Sequence, residues 1–327
     1  MSNNNSTFGS YSNTSEVSVT QAPEIDVLSD ILQAIRLNAS SYFCVEFSSP
    51  WGLDEPKTDC GTFHVVVRGS AWVKVASSSD AIYLSTGDII AFPTGLAHQI
   101  GDGSGNNYIP GNNALEIIQQ GSNPFTGGVE VSTLLCGYFQ YQLQTMLPLL
   151  RDMPQVLHIK SENAPELNWL NYLVKTLANE SQTRQPGGGV VIERLTEVLV
   201  IQLFRWYINS QNNTQGYFKA LADNQLSRAL SLLHKQPEKP WSVERLGKSV
   251  GMSRTAFARH FSDVVGMTPI AYLTQWRMHI ANELLTHSKE SMVSIAEKVG
   301  YSSEASFGKA FKKVTGMSPG QSRKRNK

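Results

Sequence analysis

Cysteine is scarce in this 327-residue chain, which has three: Cys44, Cys60 and Cys136. Three thiols cannot complete a disulfide framework, so a small cystine-stapled fold is excluded and a reducing compartment is expected. No apolar run approaches the length of a membrane-spanning helix, and no membrane partner is expected. The first residues lack a basic stretch followed by an apolar one, so no secretory signal is read there and the cytoplasm is the expected location. His-x-His, half of a common barrel metal site, does not occur. Net charge is also nearly absent, at +1, but this balance conceals a split. Residues 224–327 carry 17 Lys and Arg against 7 Asp and Glu, which leaves 11 and 20 for residues 1–223. A basic third beside an acidic remainder fits a nucleic-acid reader joined to a module of another kind.

What the sequence does have is one pattern used twice near its C-terminal end. VERLGKSVGMSRTAFARHFSDVVGMTP (Val243–Pro269) is followed by SIAEKVGYSSEASFGKAFKKVTGMSP (Ser294–Pro319). Each copy reads as helix, glycine-containing turn, helix, which is the outline of a helix-turn-helix. Ser253 is placed to cap the second helix of the first copy. At about 100° per residue, Phe257, Phe261 and Val264 share one face, and Thr255, Arg259 and Ser262 the other. Phe307, Phe311 and Val314 repeat the buried face, while Ala305, Lys309 and Lys312 repeat the exposed one. Two hairpins with solvated basic faces would show the same outline. The duplication together with the charge split favours two helices built to enter major grooves of double-stranded DNA.

On GMSRTAFARHF with GMTPIAYLTQWRM (Gly251–Met278) and IAEKVGYSSEASFGKAFKKVTGMSP (Ile295–Pro319), the chain resembles the DNA-binding domain of the AraC/XylS family of bacterial transcription regulators. The resemblance implies DNA contacts at Arg254, Thr255, Ala258 and Arg259 in one reading helix, and at Glu304, Ala305, Ser306, Gly308 and Lys309 in the other. It also implies RNA polymerase as a partner and activation rather than repression. Gly247 departs from the family's usual Ala, and glycine inside a helix costs about 1 kcal/mol. Between the copies, Ile270–Leu285 reads as one connecting helix. Sixteen residues give about 24 Å of spacer, which with the flanking turns sets the reading helices about one DNA turn apart, near 34 Å. Each chain would then read an asymmetric site.

Upstream the pattern changes. Residues 1–22 form a polar tail with little to bury. Ile25–Ala39 shows helical spacing. From about Ser41 to Tyr141, YFCVEF, FHVVVRG, AWVKVA, AIYL, DIIAFP, LEIIQQG and VSTLLCGYFQYQ read as short strands of a barrel or sandwich. The stretch Gly87–His98, with SSPWGL, FHVVVRGSAWV and LLCGYF, resembles the cupin sensor domain of one branch of the same regulators. Two helices, LNWLNYLVKTLANES and VVIERLTEVLVIQLFRWYI, follow. The second is apolar around most of its circumference, either as buried core or as a homodimer surface. Ser210–Gly216 is a polar linker, and Tyr217–Lys235 reads as one helix.

The expected architecture is therefore α+β and two-domain. A cupin-like barrel with a helical segment (23–160 and 161–216) precedes an all-α domain of two helix-turn-helices (217–327). Trp51, His64, Phe92 and His98 are candidates for an effector pocket, with Phe63 and Trp72 as further aromatic candidates and plain core packing as the commoner reading for aromatics at strand spacing. Cys44 and Cys136 are candidates for thiol-based sensing, with inert buried cysteine as the alternative. His98 fits the last histidine of a cupin metal site, but His64 stands alone, with Val66 where a second histidine would be. Cys60 or Cys136 would have to complete any zinc site. No cofactor is expected. A metal-dependent cupin enzyme fused to a helical domain is the alternative to a regulator.

Overall fold

Alternation along the strands decides which way each side chain faces, and one of the two sheets is covered on both sides. The computed structural model describes residues 26–34, 37–76, 80–105, 108–140, 152–163, 168–183, 185–209 and 216–325. The polar tail expected over residues 1–22 and most of the linker expected at 210–216 lie outside them. The first sheet has the order β1 (Asn38–Ser48), β9 (Val131–Gln140), β3 (Gly61–Arg68), β6 (Ile89–Phe92) and β10 (Leu157–Ile159). The second has the order β5 (Ile82–Ser85), β4 (Ser70–Val75), β7 (His98–Gly101), β2 (Gly52–Glu55) and β8 (Tyr108–Pro110). The pairing of β2 with β8 is parallel and the others are antiparallel.

In the first sheet, His64, Val66, Ile90, Phe92, Leu134 and Cys136 face the second sheet, and Phe43, Phe47, Trp51, Val73 and Ile100 join them in one core. Their sequence neighbours Phe63, Val65, Ile89 and Leu135 face the other way, against helices. Two covered faces explain the unbroken apolar run FHVVV, where a half-exposed strand would alternate. The second sheet does alternate: Ala71, Val73 and Val75 are buried while Trp72 and Lys74 are exposed.

Helix α1 (Val27–Ala34) is shorter than the Ile25–Ala39 stretch that periodicity marks. Asp26 caps it, accepting from the Ser29 amide at 3.0 Å, and β1 has begun by Asn38. LEIIQQG, expected as a strand, lies mostly in α2 (Gly111–Gln119). Pro110 opens that helix, and Ala114, Leu115 and Ile118 share one face toward the inter-sheet core. Strands β2, β7, β8 and β10 have three or four residues each, too few to show a period.

Helices α3 (Asn168–Thr183) and α4 (Gly188–Asn209) cover the outer face of the first sheet through Leu173, Leu177, Leu199, Leu203 and Phe204. The segment Tyr217–Lys235 is two helices rather than one, α5 (Tyr217–Ala222) and α6 (Asn224–Lys235). The break is at Asp223, whose carboxylate accepts from the amides of Gln225 and Leu226, and from His260 Nε2 at 2.8 Å. The repeats follow as α7 (Val243–Ser249) and α8 (Arg254–Val265), then the connecting helix α9 (Pro269–His287), then α10 (Met292–Lys298) and α11 (Glu304–Thr315), with α12 (Pro319–Arg325) last.

Candidate functional site

Both copies of the repeat are built by the same local devices. Ser253 accepts from the Ala256 amide and Ser303 from the Ser306 amide, so each second helix starts on a serine cap. Gly266 and Gly316 end these helices in the left-handed region, at φ of 77° and 79°. Phe257, Phe261, Phe307 and Phe311 are fully buried and anchor the helices. On the opposite faces Arg254, Thr255 and Arg259 are exposed in α8, as are Glu304, Ala305, Ser306 and Lys309 in α11. Ala258 and Gly308 are half-buried at equivalent places. Arg259 lies 3.6 Å from Asp263, an exposed pair one helical turn apart that DNA phosphate can replace at little cost. Seven of the nine residues expected to contact DNA are thus exposed on the two second helices, and Ala258 and Gly308 are half-buried on the same helices.

A second polar cluster lies between the sheets. Cys136 Sγ is 2.9 Å from His64 Nδ1, His64 Nε2 is 2.8 Å from His98 Nε2, and His98 Nδ1 is 2.8 Å from the Leu96 carbonyl. One observation orders the protons. The Leu96 oxygen only accepts, so His98 Nδ1 carries hydrogen, and neutral His98 accepts at Nε2. His64 therefore donates from Nε2 and accepts at Nδ1, and the Cys136 thiol donates to it. Burial agrees with this neutral chain. It lowers the His64 pKa well below the ordinary value, with His98 adding to the effect, and it lowers His98 to about 4. Burial first, and Glu55 second, raise the Cys136 thiol.

Of the four residues expected at an effector pocket, His64, Phe92 and His98 are together: Phe92 stacks on His98 at 3.6 Å between ring centres. Trp51 is buried in the same core against Phe47, and its indole N–H has no hydrogen-bond partner among the described residues. Phe63 and Trp72 do not belong to this interior. Phe63 faces the helices, and Trp72 is exposed beside Tyr83 on the outer face of the second sheet. Sequence reasoning missed Glu55, which sits opposite His98 in the β2–β7 register. Burial, with Asp54 behind it, pushes its carboxyl up to about 7. Recognising β2 as a strand was the step that would have found it.

Cys44 and Cys136 sit in adjacent register on β1 and β9, with Phe43 opposite Cys136 and Cys44 opposite Leu135, so the thiols face opposite sides of the sheet. No disulfide can join them without rebuilding that register. Burial also holds Cys44 protonated, raising its pKa to about 11. Burial thus favours the thiol form of both cysteines over the more reactive thiolate. Among the described residues, no three His, Cys, Asp or Glu side chains are grouped to hold one metal ion. An ion between the two imidazoles would also have to displace the His64–His98 hydrogen bond.

Comparison with known proteins adds family evidence to this geometry. A cupin family model matches residues 26–209, and a helix-turn-helix domain model matches residues 246–325. The HTH-type transcriptional regulator AlkR of Acinetobacter baylyi is 33% identical over 305 residues, covering 90% of this chain and 98% of that protein. An HTH-type transcriptional regulator of Haemophilus influenzae is 30% identical, covering 92% and 99%. The HTH-type transcriptional regulator MtrA of Neisseria gonorrhoeae is 28% identical, covering 92% and 98%.

Proposed function

The chain belongs to the AraC-type family of helix-turn-helix transcription regulators with an N-terminal cupin domain, and from that premise we propose how its parts divide the work. It is a DNA-binding transcription regulator with a ligand-sensing domain, and DNA is its partner. The reading helices are α8 and α11. Arg254, Thr255, Ala258 and Arg259, and then Glu304, Ala305, Ser306, Gly308 and Lys309, meet base edges and phosphates. The observation that carries this reading is the pair of outward faces on identically capped helices, each anchored by two buried phenylalanines.

The sensor senses a small molecule in the region of His64, Phe92 and His98, with the indole N–H of Trp51 available to an acceptor. A thiol-based signal is disfavoured by the protonated, buried Cys44 and Cys136. Helix α4 supports a homodimer: it buries Leu199, Leu203 and Phe204 but leaves Val190, Val191 and Val198 exposed, an apolar surface that a second copy would cover. Effector binding shifts the dimer or the linker, and so changes which DNA half-sites the two chains span. Activation through RNA polymerase in the cytoplasm completes the proposal. No described helix is long and apolar enough to cross a membrane.

The test is selection of DNA sites by the full-length protein, followed by binding at several salt concentrations. Enrichment of an asymmetric site spanning two adjacent major grooves, with a steep salt slope, is expected. Binding that enriches no site would reduce the two faces to solvated surface.

A further inference from the structure

The two helix-turn-helices have separate buried cores, joined by the partly buried Ile280, which packs against both. Leu246, Phe257, Phe261, Tyr272, Leu273 and Trp276 belong to the large apolar cluster that runs back to the sensor. Met278, Ala281, Leu285, Ile295, Phe307 and Phe311 form a separate one. Helix α9 serves both, its first half packing on the first unit and its second half on the other. Arg277 stands at the crossover, between Trp276 and Met278.

The Arg277 side chain bridges the two units. Its Nε donates to the Pro237 carbonyl at 2.7 Å, and a terminal nitrogen donates to the Lys239 carbonyl at 2.9 Å, in the loop that leads into α7. Trp241 pins that loop by donating from its indole to the Gln236 carbonyl. On the other side, the guanidinium carbon is 5.6 Å from the centre of the Tyr301 ring, in the turn between α10 and α11. The adjoining Gly300 backs onto the same contact. A Cβ there would lie 2.6 Å from both the Glu238 carbonyl and the Arg277 guanidinium. Gly251, its counterpart in the first copy, has the same left-handed backbone but open space around it. The crowding at Gly300 therefore comes from contact between the units and not from the turn itself.

We infer that Arg277 is a positioning residue that fixes the rotation of the second helix-turn-helix relative to the first, and thereby sets the spacing between half-elements that the protein accepts in DNA. A helix alone holds distance but bends and rolls about its axis. A planar guanidinium held by two carbonyls on one side and an aromatic face on the other removes that freedom. This inference rests on α8 and α11 being the reading helices.

The experiment uses the full chain and the enriched asymmetric site, the same site with one base pair added or removed between its halves, and the first half alone. One base pair displaces the second half by about 3.4 Å and 34°. The parent should lose at least about tenfold in affinity on either altered spacing, the cost of one or more lost base contacts. Arg277→Ala should bind the first half alone as the parent does, weaken on the native spacing, and discriminate spacing less than about threefold, while Arg277→Lys falls between because it keeps the charge but not the fork. A parental spacing ratio in Arg277→Ala overturns the inference. So does an equal loss on the half-site, which would make Arg277 a general stability or phosphate residue. If Arg277→Ala fails to fold, Tyr301→Leu is read in the same way, since it leaves both carbonyl bonds in place. Spin labels at Asp263→Cys and Lys313→Cys in a Cys60→Ser background give a second readout without DNA. One narrow distance in the parent should broaden when Arg277 is replaced, and an unchanged distribution overturns the inference. A parent that selects no two-part site fails the DNA reading instead, and the label distances still judge Arg277.

Discussion

The two copies of the repeat have the same caps, the same turn glycines and the same pair of buried phenylalanines, yet they stand in different surroundings. The first is continuous with the sensor. Its core joins α5, α6, α4 and the outer face of the first sheet, and Asp223 ties the α5–α6 junction to His260 in α8. The second has a core of its own, closed by α12 through Ser322 to Asn282 and by Arg323 to the Glu290 carbonyl. The comparison teaches that duplication of a motif does not duplicate its role. Among the described residues, packed side chains run continuously from the sensor to the first reading helix, whereas the second is joined to the rest along α9 and through Arg277.

Core truncation tests this difference most strongly. Phe257→Ala and Phe307→Ala should each cost about 3–5 kcal/mol, the usual range for a fully buried Phe. Hydrogen exchange should show Phe257→Ala loosening the sensor helices as well, and Phe307→Ala loosening only α10–α12. Equal loss of protection in the sensor would break the comparison.

Acid should act on the sensor side. The folded state holds His98 neutral down to about pH 4, against an ordinary value of 6.5, and burial with His98 beside it holds His64 well below its ordinary value too. As pH falls from 6.5 toward 4, the unfolded chain binds protons that the folded one refuses, so stability is lost through that window. Glu55 works the other way: raised to about 7, it is protonated on folding and favours the folded state as pH falls from 7 to about 4.5. His98 and Glu55 act in opposite directions over this window and the fully buried His64 tips the balance, so the melting temperature of the sensor should fall as pH drops from 6.5 toward 4. Glu55→Gln should make that loss steeper.

Arg259→Ala should cost about 1–3 kcal/mol on the selected site, with relaxed preference at one position. Lys309→Ala should weaken selected and random DNA alike and lower the salt slope by about one. Competition binding on both DNAs separates the two behaviours, and equal loss for Arg259 on both would make it a phosphate contact.

The smallest effect discriminates between two glycines. A Cβ at Gly308 meets nothing within 4 Å, so Gly308→Ala should stabilise the second unit by up to about 1 kcal/mol. A Cβ at Gly247 would lie 2.9 Å from the Met252 carbonyl, so Gly247→Ala should gain nothing in thermal melts. The glycine that departs from the family's usual alanine is thus accommodated by the turn that follows it.

Legibility followed element length and repetition. The helix-turn-helices were readable because caps, terminal glycines and phenylalanine spacing all agree within each copy. LEIIQQG at 115–121 reads as a strand although it lies mostly in a helix, because it is too short for its period to separate the two, and Pro110 is the stronger signal. The break at Asp223 was hidden because apolar spacing continues across it, and only the carboxylate's bonds to Gln225, Leu226 and His260 stop the helix. Phe63 and Trp72 looked like interior aromatics, because sequence marks a face only relative to a register it does not contain.

By itself the sequence determined the local devices: which residues cap, which turn, which face of each reading helix is apolar, and where charge is concentrated. These depend on neighbours within about one helical turn or two strand positions. The tertiary structure alone decided the proton order from Cys136 to Leu96, the place of Glu55 opposite His98, and the bridge from Arg277 to the loop at Pro237–Lys239 and the turn at Tyr301. Each of these joins residues far apart in the chain, and such pairs meet only when strand register and helix packing bring them within hydrogen-bonding distance.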